Sequence, residues 1–216
     1  MKKLLFTLAL CFFAGAAFAQ IMFPAEGKIM EYSAAVTSPM GDQKMDIKQY
    51  VKSKEGDKIV LTTEAAGQTF DIKYTLSGDK VTIPLKELMS SSLGQMGNFE
   101  VLESSGDITY PMDFEPGKTY DGGTMKIKAT VQGMEVTMNL SMENRQAVGK
   151  ESITVPAGTF ECIKVTEEMV IQVMGQDQVS EMTSWYAPGT GLVKQFTSSM
   201  NGMVTNTMEL IKITDK

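Results

Sequence analysis

None of the 216 residues is histidine, only two are cysteine and only one is tryptophan. Without imidazole there is no Ser-His-Asp or Cys-His catalytic arrangement, no His-containing zinc site and no histidine pH switch. Of the two cysteines, Cys11 sits in an N-terminal apolar stretch. If that stretch is removed, Cys162 has no partner within the chain, so stability has to come from an ordinary core and not from a disulfide. Long apolar runs are missing too. Beyond residue 19 none approaches the roughly 20 residues that a membrane-spanning helix needs.

The N-terminal stretch has the layout of a secretory signal peptide. Lys2 and Lys3 form a basic start, residues 4–13 an apolar run, and Ala17-Phe18-Ala19 a small-x-small cleavage site, so cleavage is expected after Ala19 and export to the periplasm or the exterior. Lipidation at Cys11 is not expected, because Leu10 stands where an acylation signal wants a small residue. Residues 1–19 hold two of the 20 basic side chains and none of the 26 acidic ones, so residues 20–216 carry a formal charge of −8. A surface of that sign repels phosphate backbones and anionic lipid headgroups, which excludes nucleic acid as an expected partner.

From Lys28 onward the chain alternates apolar and polar residues in short runs rich in Val, Ile, Thr, Tyr and Met, separated by glycine-containing turns. That is the pattern of an antiparallel β protein. With Gln132-Gly133 as a two-residue turn, Val131 faces Met134, Ala129 faces Val136, Ile127 faces Met138 and Met125 faces Leu140, all apolar. The intervening pairs, Thr130 with Glu135, Lys128 with Thr137, Lys126 with Asn139 and Thr124 with Ser141, are all polar. A one-residue slip would destroy this sorting, so register and turn support each other. A second hairpin is signalled by Asn201-Gly202, which suits positive φ angles. It sets Met200 opposite Met203, Val193 opposite Leu210 and Lys194 opposite Glu209, with Phe196 out of phase. Further turns are read at Pro39-Met40-Gly41, Ala66-Gly67, Ser77-Gly78-Asp79, Pro156-Ala157-Gly158 and Gly175-Gln176-Asp177, giving at least ten strands. After Pro84 the spacing of Leu85, Leu88, Met89, Leu93 and Met96 predicts a short amphipathic helix over residues 84–94. Residues 104–123 read as a turn-rich crossing or junction.

Methionine is what the chain has in excess. The 17 that remain beyond residue 19 outnumber the 13 aromatic residues and the nine leucines there. Either Met replaces Leu and Val as core filler, or a soft Met-rich face lines a groove for an apolar ligand, as thioethers re-pack around varied shapes. A thioether copper site fits only Met200 with Met203, since residues four apart in a strand lie roughly 13 Å apart. Cys162 reads as a buried strand residue, with Lys164 on the same face able to favour its thiolate. Asp113, Glu115 and Asp121 are the acids in a cleft-like context, the minimum for a paired-carboxylate hydrolase. Trp185 reads as a core anchor, and Gly189 and Gly191 as a tight strand connection.

Three segments, ITYPMDFEPGKTY, GKESITVPAGTFECIKV and SWYAPGTGLVKQ, together resemble the TapB-like family of exported bacterial envelope proteins. The motif positions are Pro156, Gly158, Phe160, Cys162, Trp185, Gly189 and Gly191. The resemblance implies an exported protein with a strongly curved antiparallel sheet or partly open barrel, similar in general shape to lipoprotein carriers of the LolA and LolB type. It supplies no catalytic residue.

The expected architecture is therefore one all-β domain over residues 20–216, a strongly curved antiparallel sheet or open β-barrel with one short helix covering its concave side. The expected function is non-enzymatic: binding of a hydrophobic ligand or lipid in a Met-rich groove lined by Ile127, Met134, Val136, Met138 and Met142, with Leu88 and Met89 as lid. The alternatives are an assembly module that binds another envelope protein through a sheet edge and, third, a carboxylate-dependent hydrolase. No metal or cofactor is expected.

Overall fold

The computed structural model describes residues 23–83, 99–131 and 133–216; the expected signal peptide, the expected helix over residues 84–94 with Leu88 and Met89, and Cys11 lie outside them. Within the described residues every regular element is a strand. In chain order these are β1 (Lys28–Thr37), β2 (Gln43–Glu55), β3 (Lys58–Ala65), β4 (Gln68–Ser77), β5 (Lys80–Ile83), β6 (Phe99–Pro111) and β7 (Thr119–Tyr120). There follow β8 (Gly123–Val131), β9 (Met134–Val155), β10 (Gly158–Val173), β11 (Gln176–Ala187), β12 (Gly191–Ser199) and β13 (Val204–Asp215). No described helix is long and apolar enough to cross a membrane.

All ladders are antiparallel, and chain neighbours are sheet neighbours almost throughout, an up-and-down meander. β13 pairs with β1, and β9 pairs with β10 as well as β8, so twelve strands close into a barrel. The two-residue β7 is a thirteenth strand added on the flank of β9. The curvature expected from the sequence thus runs to full closure.

The predicted register of the β8–β9 hairpin is the observed one, from Thr124 opposite Ser141 to Val131 opposite Met134. Its apolar pairs from Met125 with Leu140 to Ala129 with Val136 face inward, and Ile127, Ala129 and Met138 are among the most buried of the described residues. In the β12–β13 hairpin Lys194 opposes Glu209 as expected, and Met200, Asn201 and Gly202 all take the left-handed conformation, at φ 53°, 55° and 82°. The turn expected at residues 175–177 lies one residue earlier, on Met174-Gly175, because Val173 pairs with Gln176.

Barrel closure needs local breaks in the pleat, and the one with the largest consequence is in β9. Up to Met142 the even-numbered residues face inward; beyond it Arg145 and Ala147 do. The phase flips at Asn144, which has φ 52° and sits where the β9–β10 ladder shifts register. Asparagine tolerates this left-handed conformation better than most residues, and a bulge of this kind re-aims the side chains that follow it.

The chain between β6 and β8 crosses one end of the barrel. Its backbone is tied to β9 by Gly117 N–H donating to Ala147 O (2.6 Å) and Ala147 N–H donating to Lys118 O (2.9 Å). Phe114 is buried beneath it, edge-on to Tyr120 at 5.1 Å and tilted against Tyr186 at 5.7 Å. At its end Gly122 lies flat on β9: a Cβ there would overlap the carbonyl and Cβ of Met142, whereas a Cβ on Gly149 would meet open space. Gly122→Ala is therefore expected to cost about 1–3 kcal/mol in urea unfolding. Gly149→Ala should stay within about 0.5 kcal/mol of the parent or gain slightly.

Candidate functional site

The inner wall of the barrel is divided. From β4 to β8 and over the first half of β9 its buried side chains are apolar apart from the Tyr74 and Tyr110 phenols, with Ile72, Val81, Ile108, Ile127 and Met138 among them. From β10 round through β1 to β3 it also carries buried polar groups, namely Glu167, Ser180, Ser184, Gln195, Thr197 and Asn206, with Gln49 and Thr63 on β2 and β3. Strand alternation places these on the same face as Val193, Met208 and Leu210, which belong to the core.

At the boundary between the two halves sits a buried ion pair. Arg145 and Glu167, with side chains 0% and 1% exposed, are joined by Arg145 Nε donating to Glu167 Oε2 at 2.8 Å. The guanidinium stacks on the Tyr110 ring, 3.6 Å from its centroid, and Tyr110 Oη donates to Glu167 Oε1 at 2.8 Å. Arg145 Nη1 donates to the carbonyls of Thr109 (2.7 Å) and Asp121 (3.3 Å), pinning both ends of the crossing segment to β9. Burial disfavours the guanidinium charge, but Tyr110 and Glu167 outweigh it and keep Arg145 firmly cationic. Sequence reading missed this cluster because extending the period of two from Met134–Met142 points Arg145 outward. The signal that finds it is the switch of apolar phase between Met142 and Ala147, which marks a bulge.

Three phenols surround the pair or lie near it. Burial pushes Tyr32, Tyr110 and Tyr186 well above the usual phenol value, and the Glu167 charge adds to it for Tyr110 and Tyr186. Tyr32 Oη donates to Leu192 O at 3.0 Å.

Of the expected groove residues, Ile127, Val136, Met138 and Met142 lie buried on the inner wall. Met134 does not: it flanks the hairpin turn, beyond the neighbours that would cover it, and is 61% exposed. The methionine excess is split the same way. Met30, Met125, Met138, Met142, Met169, Met182 and Met208 are buried, while Met40, Met134, Met174, Met200 and Met203 are exposed on or beside the hairpin turns of one barrel end.

The motif residues are structural in placement. Pro156-Ala157 is a two-residue turn closed by Gly158 opposite Val155, and Gly158 and Gly191 take positive φ, as does Gly189 in the tight connection before β12. Phe160 is half-buried and offers its carbonyl to the Cys162 thiol at 3.6 Å. Cys162 is buried, and desolvation, with Glu161 and Glu151 nearby, pushes its thiol up to about 11. Lys164 does not offset this; it pairs with Glu151 at 3.7 Å. Trp185 is not the core anchor. It is half-buried on the outer wall, its indole N–H donating to Glu151 (3.0 Å) with Lys164 Nζ 5.6 Å from the ring, and the fully buried aromatic is its neighbour Tyr186. Asp113, Glu115 and Asp121 are exposed. Glu115 pairs with Lys118, and Asp121 accepts from the Gly123 N–H. Among the described residues no group of three or more Cys, Asp or Glu is placed to hold a metal ion.

A family model described as DUF3108-like matches residues 15–210, a span that contains all three motifs noted above. The chain belongs to the DUF3108-like family. That is not the TapB-like name its motifs resemble. Among solved structures, a candidate exported protein of YmcC-like fold from Bacteroides fragilis aligns with TM-score 0.59 and 18% identity, over 93% of this chain and 100% of that one. A candidate lipoprotein from Parabacteroides distasonis aligns with TM-score 0.60 and 18% identity, over 91% and 99%. At that identity the likeness is one of fold, and this DUF3108-like chain shares the YmcC-like fold. No curated protein matches it.

Two outcomes follow for the buried cluster. Arg145→Met alone should cost about 3–5 kcal/mol in urea unfolding, since Glu167 is left buried without its cation. The double variant Arg145→Met/Glu167→Leu should recover much of that loss. The phenols give a pH dependence. Their folded pKa is raised, so the fold favours the protonated form. The stability this contributes is complete below the unfolded phenol value of about 10 and is lost as pH rises beyond it. Urea midpoints should hold up to about pH 9 and fall above about pH 10, and midpoints that stay level to about pH 11 would contradict the assignment.

Proposed function

We propose that the protein is a non-enzymatic, exported envelope protein that holds a hydrophobic ligand or lipid inside its barrel. One observation carries this reading: twelve strands close around an inner wall whose buried side chains from β4 to β8 are apolar apart from two phenols. Barrels of eight strands are just filled by their own side chains or take one small ligand, and barrel width grows with strand number. The buried methionines Met125, Met138 and Met142 put adaptable side chains on that wall, suited to a chain of variable shape.

Export is supported by the basic-apolar-small layout of residues 1–19 and by the descriptions of the two structural relatives as exported protein and lipoprotein. A catalytic role has less support. The three loop acids are exposed, Glu115 and Asp121 are engaged in turn contacts, and the buried thiol is raised by desolvation, the opposite of an activated nucleophile. The assembly alternative is weakened by closure, because the β9–β10 ladder joins what would be the two outer edges of an open sheet.

Native mass spectrometry of protein purified without detergent should show an added lipid mass that is lost on denaturation. The emptied barrel should then take up a fluorescent fatty-ester analogue with about micromolar affinity. Protein that carries no added mass and binds no analogue would overturn the reading.

A further inference from the structure

The polar half of the inner wall holds side-chain groups that the protein itself leaves unused. Gln195 Oε1, Thr197 Oγ1 and Asn206 Oδ1 have no hydrogen-bond partner among the described residues, although the three residues are only 1%, 4% and 4% exposed. Buried polar atoms are nearly always paired, since each unpaired one costs about 1–3 kcal/mol. Three together in one place are therefore a feature to be explained.

Register fixes their arrangement. Thr197 and Asn206 are direct cross-strand partners on β12 and β13, and Gln195 lies two residues along β12 on the same inward face, opposite Met208. The amide nitrogen of Gln195 is already committed, donating to Ser184 Oγ at 3.0 Å, which aims its oxygen away from that contact. Ser180 and Ser199, the next inward pair, satisfy each other at 2.6 Å. The three unpartnered groups are thus a compact cluster bounded by polar groups that are satisfied.

The cluster carries no charge. Among the described residues the only buried charged side chains are Arg145 and Glu167, and they neutralise each other. Through the ladders Glu167 is opposite Met182, and Met182 opposite Thr197, so the ion pair lies two strands, roughly 10 Å, to one side. An ionised headgroup at Thr197 would be buried without a counter-charge. A carboxylate or simple ester offers only acceptors to two carbonyl oxygens that need donors, whereas a head with two hydroxyls donates one O–H to each amide oxygen and accepts from the Thr197 hydroxyl.

We propose that Gln195, Thr197 and Asn206 form a headgroup subsite for an amphiphile with an uncharged head bearing two hydroxyls, whose acyl chain lies along the apolar wall from β4 to β8. The assignment rests on the barrel-interior reading above and adds to it the class of ligand.

Three probes with one common chain separate the possibilities: monooleoylglycerol, methyl oleate and oleate, each competed against a fluorescent fatty ester on the full chain. Monooleoylglycerol should bind about tenfold more tightly than methyl oleate and oleate. Thr197→Val and Asn206→Leu should each reduce that preference severalfold while leaving methyl oleate binding unchanged, and Thr197→Ser should restore it. Equal binding of all three, tighter binding of oleate, or a preference that survives both substitutions would overturn the subsite and leave the barrel-interior reading standing. Failure of every probe to bind would overturn both. The ranking of probes on the unsubstituted protein decides the matter even if a variant fails to fold.

Discussion

The ladder between β9 and β10 is the constraint on which the rest of the molecule depends. It joins the first half of the meander to the second, turning a sheet with two free edges into a closed wall, and it carries the bulge at Asn144. Without that left-handed residue β9 would keep the phase set by Met134–Met142, and Arg145 would point to solvent. With it, a cation enters a low-dielectric interior and must be met there, which Glu167 on the facing strand and the ring of Tyr110 do.

From the ion pair the consequences spread to the barrel end. Arg145 Nη1 holds the carbonyls of Thr109 and Asp121, so the segment between β6 and β8 is fastened across the opening, with Phe114 packed beneath it against Tyr186. A buried ion pair is a poor source of stability compared with apolar packing, but it demands one geometry. Here that geometry fixes where the crossing segment lies and therefore what seals this end. The inner surface is left in two halves, an apolar wall and a polar one, with the pair at their junction.

The parts of the fold legible in the sequence are those written in local alternation. The β8–β9 register was readable because every apolar residue of that hairpin pairs with another, so any slip exposes the whole set. The turns at Ala66-Gly67 and Asn201-Gly202 were readable because few residues accept positive φ. What was not legible has equally local causes. Trp185 and Tyr186 are adjacent, and alternation guarantees that only one of them faces inward, but the sequence does not say which. The methionines at positions 134, 138 and 142 share a face, yet Met134 is exposed, because its place beside a turn removes the neighbours that bury the other two.

The sequence by itself determined an antiparallel β protein, its principal hairpins, an acidic chain without histidine chemistry and an N-terminus of signal-peptide layout. Each of these depends on residue type or on contacts between residues close in the chain. Tertiary structure alone decided that the sheet closes, that Arg145 finds Glu167, and that Thr197 and Asn206 lie side by side on the inner wall. Those outcomes depend on a one-residue bulge and on pairing between strands distant in sequence. A pattern of period two carries no information about which distant strand will be its neighbour.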